Sequence, residues 1–182
     1  MSSKKLIIDE LQFEKLLSAQ QIQNRISELA KDISRDYANK TPIFVGVLNG
    51  AIIFMADLIR QLTIECEIDF IKISSYGNKR ISSGQITMIK DFSADLSARD
   101  IIVVEDIVDS GLSVNYLKKR IESMKPESVK FVSLLVKRDG AVVPYDIDYV
   151  GFEIKNKFVI GYGLDFAQKY RNLTDIYQNK EN

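Results

Sequence analysis

Histidine is absent from the sequence and cysteine occurs once, and each shortage excludes a kind of site. Without histidine the chain has no Ser–His–Asp or Cys–His catalytic unit and no histidine-based metal site. With Cys66 alone it forms no intrachain disulfide and no thiolate zinc site, as is usual in a reducing cytosol. Because Cys66 lies in an alternating segment, we expect a buried structural thiol rather than a nucleophile. Proton transfer near neutral pH must then come from carboxylates, lysine, tyrosine or the substrate.

An excess of charge and long apolar runs are missing as well. Basic and acidic residues number 25 each, so the formal net charge is zero, which argues against a dedicated nucleic-acid binder. The apolar run near the N-terminus is too short for a signal peptide, and no stretch approaches the roughly 20 apolar residues of a membrane span. With 46% apolar residues, 182 residues are enough for one domain with a core. We therefore expect a soluble cytoplasmic protein with a single domain over residues 1–182.

Residues 101–113 carry the pattern around which the rest of the chain is organised. Ile101–Val104 is an uncharged β-branched run, typical of a strand buried on both faces of a parallel sheet. Three carboxylates and a polar turn follow, namely Glu105, Asp106, Asp109 and Ser110-Gly111-Leu112-Ser113. Apolar residues then recur at helical spacing, at Val114, Leu117, Ile121 and Met124. The stretch predicts a strand, an acidic loop and the N-terminus of a helix.

This arrangement is suited to a phosphorylated sugar. Ligands of open α/β sheets bind beyond the carboxyl ends of the strands, and a helix N-terminus attracts anions. Gly111 lets a phosphate approach the backbone closely, whereas the neighbouring carboxylates need hydroxyls, a proton or Mg²⁺. The alternative is ordinary helix capping by Ser110, which for a generic strand–Asp–Ser–Gly–helix sequence is the commoner explanation.

Apolar periodicity predicts an alternation of strands and helices on both sides of this stretch. Ile22, Ile26, Leu29, Ile33 and Tyr37 fall on one face of a helix that starts near Ser18 and stops before Thr41-Pro42. The other predicted elements are a short strand Leu6–Ile8, a strand Ile43–Leu48, a helix Ile52–Leu62, strands Glu65–Ser74, Gln85–Ile89 and Ser128–Val136, and a hairpin of Tyr149–Ile154 with Phe158–Ile160. The pattern predicts an α/β protein.

The run Glu-Asp-Ile-Val-Asp-Ser-Gly at residues 105–111 resembles the phosphoribosyl-pyrophosphate motif of the type I phosphoribosyltransferases. Lys137 and the segment Phe158–Asp165 resemble the hypoxanthine–guanine branch of that family, and the likeness extends over residues 43–171. It implies a twisted, mainly parallel sheet flanked by helices, with a small hood built from approximately residues 1–15 and 150–182. The implied reaction is transfer of 5-phosphoribosyl from its pyrophosphate to N9 of hypoxanthine, and also of guanine, in purine salvage.

The resemblance also implies roles on the sugar and phosphate side of the site. Asp109 matches the family's proton acceptor or donor near purine N7. The 5′-phosphate would be bound by Asp109, Ser110, Gly111, Leu112 and Ser113. Glu105 and Asp106 would hold the ribose hydroxyls, with or without a metal between. Pyrophosphate would be bound by Asn49, Gly50 and Arg171, although many relatives carry lysine where this chain has Asn49, so that one charge is missing.

On the base side, the resemblance implies that Lys137 hydrogen-bonds the exocyclic oxygen of the purine. Phe158 would stack on the ring, the backbone of Val159 would pair with its edge, and Asp165 belongs to the same purine-binding segment. The implied metal is Mg²⁺, with Glu105, Asp106 and Asp165 as its ligands. A flexible loop that begins at Ser75 and Tyr76 would close over the site.

Several alternatives remain open at this stage. Without the resemblance, Phe158 is a core aromatic, Arg171 a surface charge and Asn49-Gly50 a tight turn. The same fold serves pyrimidine-operon regulators that bind RNA, and another base such as xanthine or uracil could be the acceptor. The implied partners are phosphoribosyl pyrophosphate and 6-oxopurine bases, without nucleic acid or membrane, and the implied assembly is a homodimer or homotetramer.

Overall fold

A computed structural model describes residues 6–8, 11–75, 86–140 and 146–180. The helices are α1 (Ala19–Asp36), α2 (Ile52–Ile59) and α3 (Leu112–Glu122), with a short 3₁₀ turn at Arg138–Gly140. The strands are β1 (Leu6–Ile8), β2 (Leu11–Leu17), β3 (Ile43–Leu48), β4 (Glu67–Ser75), β5 (Ile86–Lys90), β6 (Asp100–Val108), β7 (Ser128–Val136), β8 (Tyr149–Glu153), β9 (Val159–Ile160) and β10 (Ile176–Asn179).

The main sheet has six strands in the order β5-β4-β3-β6-β7-β8. Every neighbouring pair is parallel except β4 with β5, which closes one edge antiparallel. Ile101, Ile102, Val103 and Val104 of β6 are fully buried, because both faces of this central strand are covered. The predicted α/β fold with a twisted, mainly parallel sheet is confirmed, and the carboxyl ends of β3, β6 and β7 meet at one edge.

Helices cover the two faces of this sheet unequally. Ile22, Ile26 and Ile33 of α1 pack with α2 and with Ile102 and Val104 of β6 in one core. Val114 and Leu117 of α3 pack with Ile101, Val103 and Val108 of the same strand in the other. Successive strand side chains point to opposite faces, so residues 105 and 106 must face different layers.

Most boundaries differ from the prediction by one to three residues, but β6 continues to Val108, so the prediction of Glu105 and Asp106 in a loop is wrong and both lie within the strand. Ser18 is the N-cap of α1, where its side chain and that of Gln21 form a reciprocal capping box. Helix α2 ends at Ile59 rather than Leu62, and β4 begins at Glu67 rather than Glu65. Cys66 therefore precedes the strand; it is half-buried against the α1–α2 core, and burial raises the pKa of its thiol, which disfavours a nucleophilic thiolate.

A second, four-stranded antiparallel sheet has the order β1-β2-β10-β9 and takes its strands from both terminal regions. The predicted hairpin of Tyr149–Ile154 with Phe158–Ile160 is wrong, because β8 pairs with β7 in the main sheet and β9 pairs with β10 in the small one. The two strands bury different residues: Tyr149 enters the α1 core, whereas Ile160 packs with Phe13. The single-domain organisation with a hood remains a prediction. Within the described ranges, no helix has the length and apolar character needed to cross a membrane.

Candidate active site

A cavity of about 240 Å³ opens at the carboxyl end of the main sheet. Its wall contains six of the predicted site residues, namely Asp106, Asp109, Lys137, Phe158, Val159 and Asp165. Two further lining residues, Ile107 and Leu164, were missed by the sequence analysis. Both are ordinary apolar residues, and the only signal available was their position next to a predicted residue. The cavity thus joins side chains that are up to 59 positions apart in the sequence.

The two adjacent carboxylates of β6 lie on opposite sides of the sheet. Glu105 is buried towards α3, and burial together with the neighbouring Asp106 raises its pKa well above normal, against the effect of a hydrogen bond with Ser113. Its Oε1 atom has no hydrogen-bond partner among the described residues. Asp106 points into the cavity, where burial raises its pKa to about 6. Arg171 opposes this shift, while the charge of Asp165 adds to it.

Two glycines bring the Asn49-Gly50 turn against the acidic strand and the 161–165 segment. A Cβ atom at Gly50 would lie 1.6 Å from Oδ2 of Asp106. A Cβ atom at Gly163 would lie 2.2 Å from the carbonyl oxygen of Gly50, and the φ of Gly163, +98°, disfavours any other residue. The predicted pyrophosphate turn, which includes a cis peptide between Leu48 and Asn49, is therefore in direct contact with Asp106.

Arg171 and Asp165 form an ion pair beside this glycine contact. Nη2 of Arg171 lies 2.6 Å from Oδ1 of Asp165, and Nη1 donates to the carbonyl oxygen of Gly163 at 2.7 Å. The other carboxylate oxygen of Asp165 accepts the backbone N–H of Gln168 at 2.8 Å. The predicted pyrophosphate arginine and the predicted metal carboxylate are thus fixed relative to each other.

Lys137 and Asp109 form a second ion pair at the opposite wall of the cavity. Nζ of Lys137 lies 3.1 Å from Oδ2 of Asp109; the lysine side chain is 8% exposed and the carboxylate 52%. The backbone N–H of Lys137 also donates to Val108 at 2.9 Å, which ties the end of β7 to the end of β6. Sequence reasoning named both residues but did not predict that they pair.

Phe158 is the aromatic surface of the cavity. Its ring is 43% exposed and makes an edge contact with Phe166, at 5.8 Å between centroids and 74° between planes. The alternative of a core aromatic is therefore wrong, and the exposed part of the side chain is suited to contact with a planar ligand. Val159, directly after it, is buried in β9 and aligned with Gln178 of β10.

A helix begins after the acidic stretch of β6 as predicted, and it is α3. Gly111 is the N-cap, with φ +79°, and the N–H of Leu112 donates to the Ser110 hydroxyl at 3.4 Å. Ser113 is the residue that hydrogen-bonds Glu105, so its hydroxyl is directed at the buried carboxylate. Ser75 is the last residue of β4, whereas Tyr76 lies outside the described residues.

The acidic side chains were tested as a Mg²⁺ site. The described residues contain no cluster of three or more Asp, Glu, His or Cys side chains suited to a metal. Mg²⁺ in nucleotide enzymes is, however, usually held by one or two carboxylates together with substrate phosphates. Asp106 and Asp165 line one cavity, and the charge of Asp165 disfavours ionisation of Asp106. A cation shared with a phosphorylated ligand would relieve that repulsion, so the residues present fit Mg²⁺ bound together with substrate.

Comparisons with known proteins give one family. The model of the phosphoribosyl transferase domain matches residues 12–167. The bifunctional protein TilS/HprT of Listeria monocytogenes is 46% identical over 161 residues, which cover 88% of this chain and 25% of the Listeria protein, so the chain spans about a quarter of that relative. The hypoxanthine-guanine phosphoribosyltransferase of Bacillus subtilis is 44% identical over 161 residues, 88% of this chain and 89% of its own length. A Bacillus anthracis hypoxanthine-guanine phosphoribosyltransferase superposes with a TM-score of 0.87 at 40% identity, covering 95% of this chain and 99% of that one.

Proposed function

The chain belongs to the phosphoribosyltransferase family, and we propose that it is a purine-salvage enzyme that transfers 5-phosphoribosyl from phosphoribosyl pyrophosphate to N9 of hypoxanthine and of guanine. The products are the nucleoside monophosphate and pyrophosphate. The observation that carries the proposal is the cavity itself, which combines an exposed aromatic face and a buried lysine with carboxylates at the carboxyl end of a parallel sheet.

The base occupies the side of the cavity formed by Phe158 and Lys137. Phe158 stacks on the purine, Nζ of Lys137 donates to its exocyclic oxygen, and the backbone of Val159 pairs with its edge. Asp109, held 3.1 Å from Lys137, accepts or returns the proton at N7 in this proposal. A positioned acid or base of this kind contributes roughly 10²–10⁴-fold to a rate.

The sugar phosphate occupies the side formed by β6 and α3. Backbone N–H groups of residues 110–113 bind the 5′-phosphate at the helix N-terminus, and Glu105 and Asp106 hold the ribose hydroxyls. Breaking the C1–O bond leaves positive charge on the ribose ring and negative charge on pyrophosphate. Arg171 and the backbone of Asn49 and Gly50 stabilise the negative charge, and such preorganised electrostatics is usually the largest single contribution to catalysis.

Asp106 and Asp165 are the residues that would hold Mg²⁺, whereas Glu105, also predicted as a ligand, lies on the α3 side of β6 and outside the cavity wall. The ion, when bound, neutralises charge on the pyrophosphate oxygens and helps to orient them. The predicted flexible loop that would begin at Ser75 and Tyr76 lies beyond the end of β4, outside the described residues. In this proposal Asn49 contributes its backbone and carries no charge to the pyrophosphate.

The activity is tested by pyrophosphate release with phosphoribosyl pyrophosphate, Mg²⁺ and each base in turn. We expect turnover with hypoxanthine and guanine and a loss of roughly 10²–10⁴-fold in Asp109→Asn, which removes the proton acceptor. Asp32→Asn is the matched control, because Asp32 is an exposed carboxylate that pairs with Arg35 on α1, away from the cavity. If the folded protein turns over no 6-oxopurine, the enzyme proposal is wrong, and a filter-binding assay with RNA then tests the regulator alternative.

We also propose that the protein assembles as a homodimer or homotetramer in the cytoplasm. Ile52 of α2 and Ile68 of β4 are exposed by about half, and Ile68 lies on the sheet face that α2 covers. Apolar side chains on one face are suited to contact with a second copy. The half-buried Cys66 has no second cysteine to pair with, as is usual in a reducing compartment. Sedimentation velocity tests the assembly, and a monomer at micromolar concentration would contradict it.

A further inference from the structure

Tyr162 has an unusual backbone conformation at the turn next to the cavity. It is buried, and its φ of +49° lies between the left-handed glycines Gly161 and Gly163, at +96° and +98°. An L-residue with a large side chain is disfavoured in this region, so its presence calls for a specific interaction. Tyr162 itself is absent from the cavity wall.

The Tyr162 hydroxyl joins the turn to the two helices on this face of the sheet. It donates a hydrogen bond to Oδ2 of Asp57 in α2 and accepts one from Nε2 of Gln23 in α1 at 3.3 Å. Nε2 of Gln23 also donates to the same Asp57 oxygen at 2.6 Å, and Arg60 donates to the other oxygen. Burial works to raise the pKa of Asp57, but these hydrogen bonds outweigh it and lower the pKa, so the acceptor stays charged.

Asp57 and Tyr162, the two ends of this hydrogen-bond connection, each lie in a segment that adjoins the predicted pyrophosphate site. Helix α2, which carries Asp57, begins directly after the Asn49-Gly50 turn. Gly163, directly after Tyr162, presses against the carbonyl oxygen of Gly50 and accepts the hydrogen bond of Arg171 at 2.7 Å. A shift of the 161–163 turn would therefore move the guanidinium and the Asn49-Gly50 turn relative to each other.

The purine half has an anchor of its own. Val159 lies in β9, whose pairing with β10 does not involve Tyr162. Phe158 is held by its carbonyl, which accepts the N–H of Asn179 at 2.8 Å, and by its contact with Phe166. Loss of the Tyr162 hydroxyl should thus disturb the pyrophosphate half of the site more than the purine half.

We propose that Tyr162, Asp57 and Gln23 are positioning residues that hold the 161–163 turn against the Asn49-Gly50 turn and thereby set the geometry of pyrophosphate binding. This inference rests on the proposed function, because it assigns a role within that site. None of the three residues touches substrate in this proposal. They act through Gly163, Arg171 and Gly50.

The test is Tyr162→Phe, which removes the hydroxyl and keeps the ring. A hydrogen bond to a charged group is worth about a factor of ten or more, so we expect the KM for phosphoribosyl pyrophosphate to rise about tenfold. The KM for hypoxanthine should stay within about twofold, since that half keeps its own anchor. Asp57→Asn keeps an acceptor oxygen and should raise the same KM by a smaller factor.

Tyr149→Phe is the matched control. Tyr149 is likewise buried and likewise donates to a carboxylate, Asp36, at 2.9 Å, but at the amino end of the sheet. Tyr149→Phe should lower thermal stability about as much as Tyr162→Phe does, and it should leave both KM values unchanged. If Tyr162→Phe behaves in the same way, its role is only structural and the proposal is overturned.

A second readout does not depend on activity. In Tyr162→Phe we expect faster amide exchange at Gly163, whose N–H donates to Arg171 at 2.9 Å, and at Ala51, whose N–H donates to Val47 at 3.3 Å. Neither amide should change in Tyr149→Phe. If the wild type has no turnover, the proposed function has failed and the exchange result alone decides on the network. In an active enzyme, an unchanged KM for phosphoribosyl pyrophosphate overturns the proposal, whatever the exchange shows.

Discussion

Both ends of the main sheet carry a cavity with acidic residues in its wall, and the two ends differ in how those acids are partnered. The cavity at the amino end, about 420 Å³, is larger than the one of about 240 Å³ at the carboxyl end. It lies between the end of α1 and the first residues of β6, β7 and β8. Its wall consists of Asp36, Tyr37, Lys40, Asp100, Glu127, Ser128, Lys130 and Tyr149.

At the amino end the buried charges are compensated locally. Asp100 accepts from Lys40 and Ser128, and although burial works to raise its pKa, these bonds lower it. Asp36 accepts the hydroxyl of Tyr149. The buried phenol of Tyr37 at this end is neutral, because burial raises its pKa to about 12 against the effect of a hydrogen bond with Ser128.

At the carboxyl end the unpartnered atom belongs to a carboxylate, Oε1 of Glu105, and the adjacent Asp106 has a pKa of about 6. For these two carboxylates burial outweighs the other interactions, including the charge of Arg171 near Asp106, so this end is suited to a ligand that brings hydroxyls, a proton or a metal ion. The smaller cavity is therefore the better candidate, because uncompensated charge marks a binding site more reliably than volume does.

The largest effect is expected from a glycine at the carboxyl end. Gly163→Ala places a methyl group 2.2 Å from the Gly50 carbonyl oxygen at a left-handed φ, which should cost about 1–3 kcal/mol of stability and, by displacing Arg171, about 10²-fold in pyrophosphate release. Gly151→Ala in β8 is matched, with its Cβ 2.3 Å from the Leu134 carbonyl oxygen. Equal activity losses in the two variants, measured beside urea unfolding, would mean that the contact with Gly50 has no special role.

The two ends should show opposite pH dependence of stability. The folded-state pKa of Asp106 is raised from 3.8 to about 6, so its contribution is favourable at low pH and is lost as the pH rises through about 6. Asp106→Asn should therefore stabilise the protein above that pH by up to about 3 kcal/mol. In this variant Glu105, Asp165 and Arg171 are not mutated. The pKa of Asp100 is lowered, so its contribution is present at neutral pH and lost on acidification.

Asp100→Asn should accordingly destabilise at neutral pH. Urea unfolding of both variants as a function of pH checks these signs. Destabilisation by Asp106→Asn above pH about 6 would show that its charge is already balanced in the free protein, which would remove the contrast between the two ends.

The smallest effect is expected from replacing one of two lysines that each pair with an aspartate. Lys137 is 8% exposed beside Asp109, whereas Lys40 is 49% exposed beside Asp100, at 2.9 Å. Lys137→Met should raise the KM for hypoxanthine about tenfold, because it removes a buried donor to the exocyclic oxygen. Lys40→Met should leave the kinetics unchanged and cost at most about 1 kcal/mol, as exposed pairs do. Similar kinetics for both variants would contradict the assigned base side of the cavity.

Much of the fold, and the cavity residues Asp106 and Asp109, could be predicted from local patterns. The buried run Ile101–Val104, the acidic residues after it and the helix from Leu112 follow from burial, polarity and spacing within a dozen residues. Phe158 and Lys137 were named from the family resemblance. The partner of each strand could not be predicted in the same way. Tyr149–Glu153 has the same alternation of side chains whether it forms a hairpin or joins a parallel sheet.

The sequence by itself determined the three helices and most strands of the main sheet, and that carboxylates and a glycine turn follow the buried run Ile101–Val104, because these depend on neighbours along the chain; it did not predict β2 or β10. Only the tertiary structure decided that Glu105 and Asp106 serve different faces, that Lys137 pairs with Asp109, and that Gly163 rests on Gly50. Each of these depends on how strands and turns far apart in the sequence approach one another. Their approach is set by the packing of whole layers, to which no single local pattern corresponds.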